Sequence, residues 1–387
     1  MKILHVVPTY LPATRYGGPI YSVHGLCSAL ASNDLSVSVY TTSVDGPDNS
    51  NVDHGRAYLK DDVEIFYFES KYLRRIYYSA QLSGALQENI CNFDLLHLHS
   101  IFLYPTNIAA RIARRNHVPY VLSPRGMLEK GLIRSKSSIV KKTWLALIEK
   151  KTIENASLIH ITSDRESREL DKFNYDFPDR VMIPNGVSGV LCENDRKNVA
   201  SNRFQILFLG RVNWKKQIDK IIQSLKYIDF EIKLVIAGND EEGYRSILNK
   251  LIIDLGLNSE EKIQIDFTGE VNNAQKKHLY LNSDAMLLPS KSENFGNTVI
   301  EALAMGCPVI VTPEVGASKI VRQAQAGMIT DGSPRSIASC ISKIRNNPVL
   351  ARQMSVNGIN EIRQNYLWGK IACRMKTAYQ KVISANA

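Results

Sequence analysis

Apolar residues in this chain come in short runs, and the stretches between them carry helical spacing. KILHVV (2–7), SVSVYT (36–41), DLLHLH (94–99), PYVLSP (119–124), SLIHIT (157–162) and RVMIPN (180–185) form a first series. FQILFLG (204–210), IKLVIAG (232–238), IQIDFTG (263–269), DAMLLPS (284–290) and CPVIVT (307–312) form a second. Near-continuous apolar runs of this length read as strands buried on both faces, which is the habit of parallel sheets. The stretches 19–32, 79–91, 106–116 and 137–154 in the first series read as helices, as do 217–227, 243–255, 274–282, 297–305, 334–346 and 349–364 in the second. Strand–helix alternation that runs once, stops and restarts predicts two doubly wound α/β domains. The polar stretch 188–202 between the series is the expected linker, and residues 44–80 are expected to be loops. The last segment, 367–383, reads as a helix that either caps the second domain or returns to the first.

Size agrees with this division, because 387 residues exceed one typical core. At 44% apolar and 22% charged the composition is that of a globular protein. No apolar run is long enough to span a bilayer. The opening MKILHVVPTY stops at Pro8 and is expected to be a first strand, not a signal peptide. The six cysteines are scattered without a Cys-x-x-Cys, so reduced thiols and a cytoplasmic location are expected. No metal-ligand cluster is visible, and no metal or cofactor is expected.

Charge changes the picture in one place. Residues 100–151 hold 11 Lys and Arg against 2 acids, and the remainder of the chain holds 37 against 36, so nearly all of the +10 net charge lies in this segment. Such a patch suits phosphates, either on a small substrate or on an anionic membrane, or it is a solvated helix face. It lacks the motifs and stacking aromatics of a nucleic-acid binder. Trp144, inside KKTWLALIEK, adds to the case for a peripheral membrane partner.

The densest candidate chemistry is SENFGNTVIEALAMGCP, residues 292–308. Glu293 and Glu301 flank an Asn-Phe-Gly-Asn turn and the start of an apolar helix that Asn297 is expected to cap. A helix N-terminus favours an anionic or hydroxyl-rich ligand, and Glu301 can accept two hydrogen bonds from a diol such as a ribose. The alternative is a surface helix with acidic residues near its start. Gly210-Arg211 ends the first strand of the second series, and Lys215-Lys216 follow, so an Arg and a Lys can both reach one diphosphate. Gly17-Gly18 follows the first strand before a helix start at Pro19. His97 and His99 alternate with leucines at a strand end and so share one face. Ser123-Pro124-Arg125-Gly126-Met127 follows the next strand, and Arg125 there can hold an acceptor or donor oxygen, or is a plain cationic turn residue.

Taken in order, these motifs resemble the retaining nucleotide-sugar glycosyltransferases of family four, which have the GT-B fold. The resemblance rests on Glu293, seven residues, Glu301, then Gly306–Ile310, on Gly210-Arg211 with the lysines, on Asp94-x-x-His97-x-His99, and on Asn185-Gly186-Val187. It departs from the family at Gln217, where a Gly is usual, and at Ser188, where an Asp is usual. It implies two Rossmann-like domains facing a central cleft, an N-terminal one over 1–190 and a nucleotide-sugar-binding one over 200–365, with a C-terminal helix 366–387 packing back on the first.

By this resemblance Glu301 holds the ribose, and Arg211 with Lys216 (Lys215 being the alternative) holds the diphosphate. Glu293, with the backbone of Phe295, Gly296 and Asn297, holds the donor sugar. Gly17, Gly18 and His99 approach from the other domain, with His97 structural. Glu270 and Val271 lie where the base is held, and Arg125 faces the acceptor. The implied reaction is sugar transfer with retention to a glycan or polyprenyl-diphosphate-linked acceptor, as in bacterial surface-polysaccharide assembly, by an enzyme in the cytoplasm or peripheral on the inner membrane face. The catalytic set is Glu293, His99, Arg211 and Lys216. The rival readings are a nucleotide-sugar epimerase or hydrolase on the same fold, and a non-catalytic carbohydrate- or membrane-binding protein.

Overall fold

The computed structural model describes residues 1–13, 15, 17–129, 144–190, 203–240 and 243–386. It divides into two compact units, Met1–Gly186 with Trp368–Ala387, and Val187–Leu367. The first unit holds β1 (Lys2–Thr9), β2 (Ser36–Thr42), a small hairpin of β3 (Val44–Asp45) and β4 (Asp48–Asn49), β5 (Ala57–Lys60) and β6 (Val63–Phe68). It continues with β7 (Leu95–His99), β8 (Tyr120–Ser123), β9 (Leu158–Ile161) and β10 (Arg180–Met182). The main sheet runs β10-β9-β8-β7-β1-β2-β6-β5, parallel throughout except for the β5–β6 pair. β1 and β7 are buried almost end to end, as strands covered on both faces must be.

The second unit is a parallel sheet of β11 (Phe204–Leu209), β12 (Ile232–Ala237), β13 (Ile263–Gly269), β14 (Ala285–Leu288), β15 (Val309–Val311) and β16 (Gly327–Ile329). Its order is β13-β12-β11-β14-β15-β16, the doubly wound 3-2-1-4-5-6 arrangement. The strand order reverses between β11 and β14 here, and between β1 and β7 in the first unit. Ligand sites in such sheets form beyond the carboxyl ends of the two strands at this point, because the connecting chains leave them in opposite directions.

Residues 44–80, expected as loops, contain four strands. VEIFYF is rich in β-branched and aromatic residues, and it follows the Asp61-Asp62 pair, whose φ angles of +49° and +60° reverse the chain. β16 and the helix Ser318–Ala324 also lay outside the expected elements. Residues 130–143, part of the basic segment, and 191–202, most of the expected linker, lie outside the described residues. Trp144 is partly buried and its indole Nε1–H donates to the buried Glu149 carboxylate at 3.0 Å, which makes it a packing residue instead of an exposed membrane anchor. Among the described residues no helix is long and apolar enough to cross a membrane.

The C-terminal helix, Trp368–Asn386, belongs to the first unit. Ile371, Met375, Tyr379 and Val382 enter a core with Val23, Leu26 and Leu30 of the helix Gly18–Ala31. Each such side chain contributes about 1.5–3 kcal/mol when fully buried. Trp368 packs between two glycines: a Cβ at Gly25 would lie 2.4 Å from its ring, and one at Gly186 would lie 2.7 Å from it.

This packing decides the sign of a substitution. Gly25→Ala improves helix propensity by about 1 kcal/mol, but the clash with Trp368 outweighs it, and net destabilisation of about 1–3 kcal/mol is expected. Gly84→Ala, within the helix Ala80–Asn89 with nothing within 4 Å, is expected to stabilise. Urea unfolding of both variants tests this; stabilisation by Gly25→Ala would contradict the packing.

Candidate functional site

In the second unit the candidate residues collect at the carboxyl ends of β11, β13 and β14, with the loop after β15 holding them. Lys291 N–H donates to Lys215 O at 2.8 Å, tying the loop after β14 to the turn after β11. Glu293 N–H donates to Glu314 O at 3.1 Å, Gly316 N–H to Glu293 O at 3.0 Å, and Ala317 N–H to Phe295 O at 2.7 Å. The backbone around Glu293 is thus stitched on one side to the loop after β15. The helix Asn297–Ala304 follows, with Gly296 as its N-cap at φ +95°. This corrects the expectation that Asn297 caps it. The chain enters through a left-handed residue, which favours glycine at the cap and places Asn297 in the first turn.

Gln217 sits at φ +53°, between the 3₁₀ turn Trp214–Lys216 and the helix Ile218–Ser224. A left-handed backbone explains why a Gly is usual here, and this chain carries the strain on Gln. The turn separates the two lysines. Lys215 Nζ lies 5.8 Å from the Trp214 ring centre, whereas Lys216 Nζ forms an ion pair with Glu293 Oε2. Arg211 is exposed just beyond Gly210. Glu301, one turn inside its helix, accepts from Tyr280 Oη at 2.9 Å and pairs with Lys276 Nζ at 3.0 Å, both on Oε2. Glu270 and Val271 follow β13 and lead into the helix Asn273–Leu281, whose start is fixed by a reciprocal Asn272–Gln275 capping box. Four expected residues, Lys216, Glu293, Glu301 and Arg211, therefore stand around the β11–β14 switch point.

In the first unit, Gly17 (φ +66°) is the N-cap and Gly18 the first residue of the helix after β1. The histidines at the end of β7 are buried in two hydrogen-bonded chains with residues that the sequence pattern did not single out. His97 Nδ1 meets Tyr379 Oη at 2.6 Å and His97 Nε2 meets Ser123 Oγ at 2.7 Å. Ser123 Oγ meets His160 Nδ1 at 2.7 Å, and His160 Nε2 meets Ile183 O at 2.8 Å. His99 Nε2 meets His5 Nδ1 at 2.9 Å, while Arg125 Nη2 donates to His99 Nδ1 at 3.2 Å and Nη1 to Asn185 Oδ1 at 3.1 Å.

The two ends fix every proton. A carbonyl only accepts, so His160 carries its proton on Nε2; Ser123 donates to His160 Nδ1, His97 donates to Ser123, and Tyr379 donates to His97. A guanidinium only donates, so His99 is protonated on Nε2 and donates to His5. His5 is left with an Nε2–H that is buried without a partner. All four imidazoles are neutral in this scheme. Burial holds each below its ordinary value, reinforced by the Arg125 charge, and His5 and His160 fall to about 3.

Both ring nitrogens of His99 are thus committed within the protein, and the residue is 1% exposed. The expected ligand-facing role does not fit this arrangement. The strand pleat does put His97 and His99 on one face, but the C-terminal helix and the side chain of His5 cover it. Arg125, at φ +56° and partly exposed, is the charged end of the network, and among the described residues its hydrogen-bond partners are neutral. His5, His97 and His99 have ring nitrogens within 4.8 Å of one another, close enough to consider a shared cation. The donor–acceptor pairing already uses both nitrogens of His97 and His99 and Nδ1 of His5, leaving only His5 Nε2, and a cation there would stand beside Arg125, so the set fits a neutral relay better than a metal site. His5 and His160 each look like a lone His in an apolar strand; only strand pairing, with His5 opposite His97, brings them together.

Residues 192–361 match the family model described as "Glycosyl transferases group 1", and residues 17–186 the one described as "Glycosyl transferase 4-like domain". An uncharacterized glycosyltransferase of Methanocaldococcus jannaschii is 25% identical, covering 98% of each chain. The phosphatidyl-myo-inositol mannosyltransferase of Mycobacterium leprae is 24% identical over 76% of this chain and 75% of its own. Anabaena HepE, solved in complex with UDP and glucose, superposes with a TM-score of 0.75 at 17% identity, covering 98% of this chain and 100% of its own, a likeness of fold.

The neutral histidines make stability depend on pH with a definite sign. Between about pH 6.5 and 3 the unfolded chain binds protons that folded His5 and His160 do not, so their contribution is full above about 6.5 and is lost as pH falls. Each such group adds a slope of about 1.4 kcal/mol per pH unit well below 6.5. Unfolding free energy measured from pH 7.5 to 5 is expected to fall less steeply in His5→Gln than in the unmodified protein. Equal slopes would show that His5 is protonated in the folded state.

Proposed function

The chain belongs to the group 1 glycosyltransferases with a glycosyltransferase 4-like first domain, and from this we propose that it transfers a sugar from a nucleoside diphosphate donor, with retention, to a glycan or polyprenyl-diphosphate-linked glycan. It is an enzyme of the class whose relatives build polysaccharides and glycolipids. The observation that carries the finer reading is the set of two cations and two carboxylates, Arg211, Lys216, Glu293 and Glu301, around the β11–β14 switch point. Breaking the bond to the donor diphosphate builds negative charge on the leaving oxygen. Arg211 and Lys216 are fixed cations that stabilise it without a metal ion. Glu301 holds the ribose hydroxyls, Glu293 and the backbone at Phe295–Asn297 hold the donor sugar, and Glu270–Val271 meets the base. UDP is the first donor base to try, since HepE is solved with it.

In the first unit, Arg125 is proposed to hold an anionic or hydroxyl oxygen of the acceptor, with His99 and Asn185 keeping its guanidinium in place. A membrane-associated acceptor draws on the excess of basic residues in 100–151, of which Arg111, Arg114 and Arg115 lie on the helix Tyr104–Arg115.

The Lys216–Glu293 ion pair implies that a donor diphosphate must compete with Glu293 for the lysine. Glu293→Gln is therefore expected to bind UDP about two- to fivefold more tightly, the scale of a partly exposed pair, while transferring sugar far more slowly. Weaker UDP binding in this variant, measured by calorimetry, would rule out the competition.

Arg211→Ala and Lys216→Ala are each expected to lower transfer by about a hundredfold or more. The assay pairs UDP-, GDP- and ADP-sugars with water-soluble glycans or with polyprenyl-diphosphate sugars in anionic vesicles. Activity is expected to survive excess EDTA. Near-normal rates in both folded variants would overturn the site. Donor turnover without any acceptor would favour the hydrolase or epimerase alternative.

A further inference from the structure

The carboxylate of Glu301 is held in an asymmetric way. Tyr280 Oη donates to Oε2 at 2.9 Å, and Lys276 Nζ lies 3.0 Å from the same oxygen. Among the described residues Oε1 has no such partner, and the side chain remains 26% exposed. Tyr280 and Lys276 are one helical turn apart on the helix Asn273–Leu281, so both reach the same point. Tyr280 is 2% exposed, and burial beside Glu301 pushes its phenol well above the usual value, so it stays a donor at any working pH.

We propose that Tyr280 and Lys276 are positioning residues: they pin one oxygen of Glu301 so that the other meets a ribose diol, and thereby set the preference for ribonucleotides over 2′-deoxyribonucleotides. This rests on the reading of Glu301 as the ribose ligand. A carboxylate offers about four acceptor positions. The Tyr280 hydrogen bond and the Lys276 ion pair on Oε2 stop it from rotating, so the ordering cost is met before the nucleotide arrives. A fixed carboxylate that loses one of its two hydroxyl partners cannot turn to recover it, and buried polar groups left unpaired are the basis of strong discrimination.

The same helix starts two residues after Glu270-Val271, and its first turn is locked by Asn272 and Gln275, with both capping bonds at 2.9 Å. One rigid element thus follows the base loop and orients the ribose carboxylate. A freely rotating Glu301 would grip ribose and deoxyribose almost alike.

The test is calorimetric binding of UDP, GDP and ADP and of their 2′-deoxy forms to the full chain. The unmodified protein is expected to prefer the ribonucleotide by about tenfold or more. Tyr280→Phe keeps the ring and its packing; it is expected to reduce that ratio several-fold, mainly by weakening the ribonucleotide. Lys276→Met is expected to act in the same direction, and gives the answer if Tyr280→Phe does not fold. A parallel loss of both affinities, or an unchanged ratio, would overturn the positioning role. Glu301→Gln separates the two layers. If it abolishes the preference while Tyr280→Phe does not, only this proposal fails. If it leaves the preference untouched, the assignment of Glu301 to the ribose fails with it.

Discussion

A parallel sheet allows no tight turns between neighbouring strands, and this constraint organises everything else in the protein. Each strand must be followed by a crossover that returns along a face, so all carboxyl ends gather on one edge. Where the winding reverses, between β1 and β7 and between β11 and β14, two adjacent loops diverge and leave backbone and side chains uncovered. The candidate chemistry follows this rule in each unit. In the first unit Gly17-Gly18 follow β1, and the histidines end β7 but are buried; in the second Arg211 and Lys216 follow β11 and Glu293 follows β14.

The two units handle their polar groups in opposite ways. In the first, neutral imidazoles, a serine and a tyrosine pair in two buried hydrogen-bonded lines, whose fixed ends, Ile183 O and Arg125, set the direction of each bond and leave only His5 Nε2 without a partner. The neutral forms avoid the cost of burying charge, which for four histidines beside a guanidinium would be prohibitive. In the second, the groups remain charged and partly exposed: Lys216 pairs with Glu293, and Lys276 with Glu301. Such pairs are weak enough to be exchanged for a ligand of the same chemistry. The first arrangement gives rigidity, and the second leaves ions that a phosphate or a sugar can recruit.

Several candidate residues were legible because their chemistry is local. Glu293 and Glu301 are eight positions apart on one turn and helix, and Gly210-Arg211 with the lysines fits within one strand-end loop. Gln217 shows how local geometry leaves a mark: the departure from the usual Gly coincides with a left-handed backbone. His99 shows where local reading stops. Its spacing from His97 was informative about the face, yet not about what covers that face. His5, His160 and Tyr379 are 94, 61 and 280 positions from His99 along the chain, and no pattern in the sequence joins them.

The sequence by itself determined the doubly wound class, the restart of the strand series and the identity of the charged residues, because hydrophobic period and strand-end chemistry are properties of neighbouring positions. It missed β3–β5 because short, partly exposed strands lack the continuous apolar run of a buried parallel strand, and it passed over β6, whose VEIFYF run carries a strand signal broken by Glu64. Only the tertiary structure decided that the C-terminal helix joins the first unit, with Trp368 seated between Gly25 and Gly186. It alone decided which lysine meets Glu293 and which oxygen of Glu301 is held. Those outcomes depend on packing and hydrogen-bond directions between elements far apart in the chain, where no local periodicity carries information.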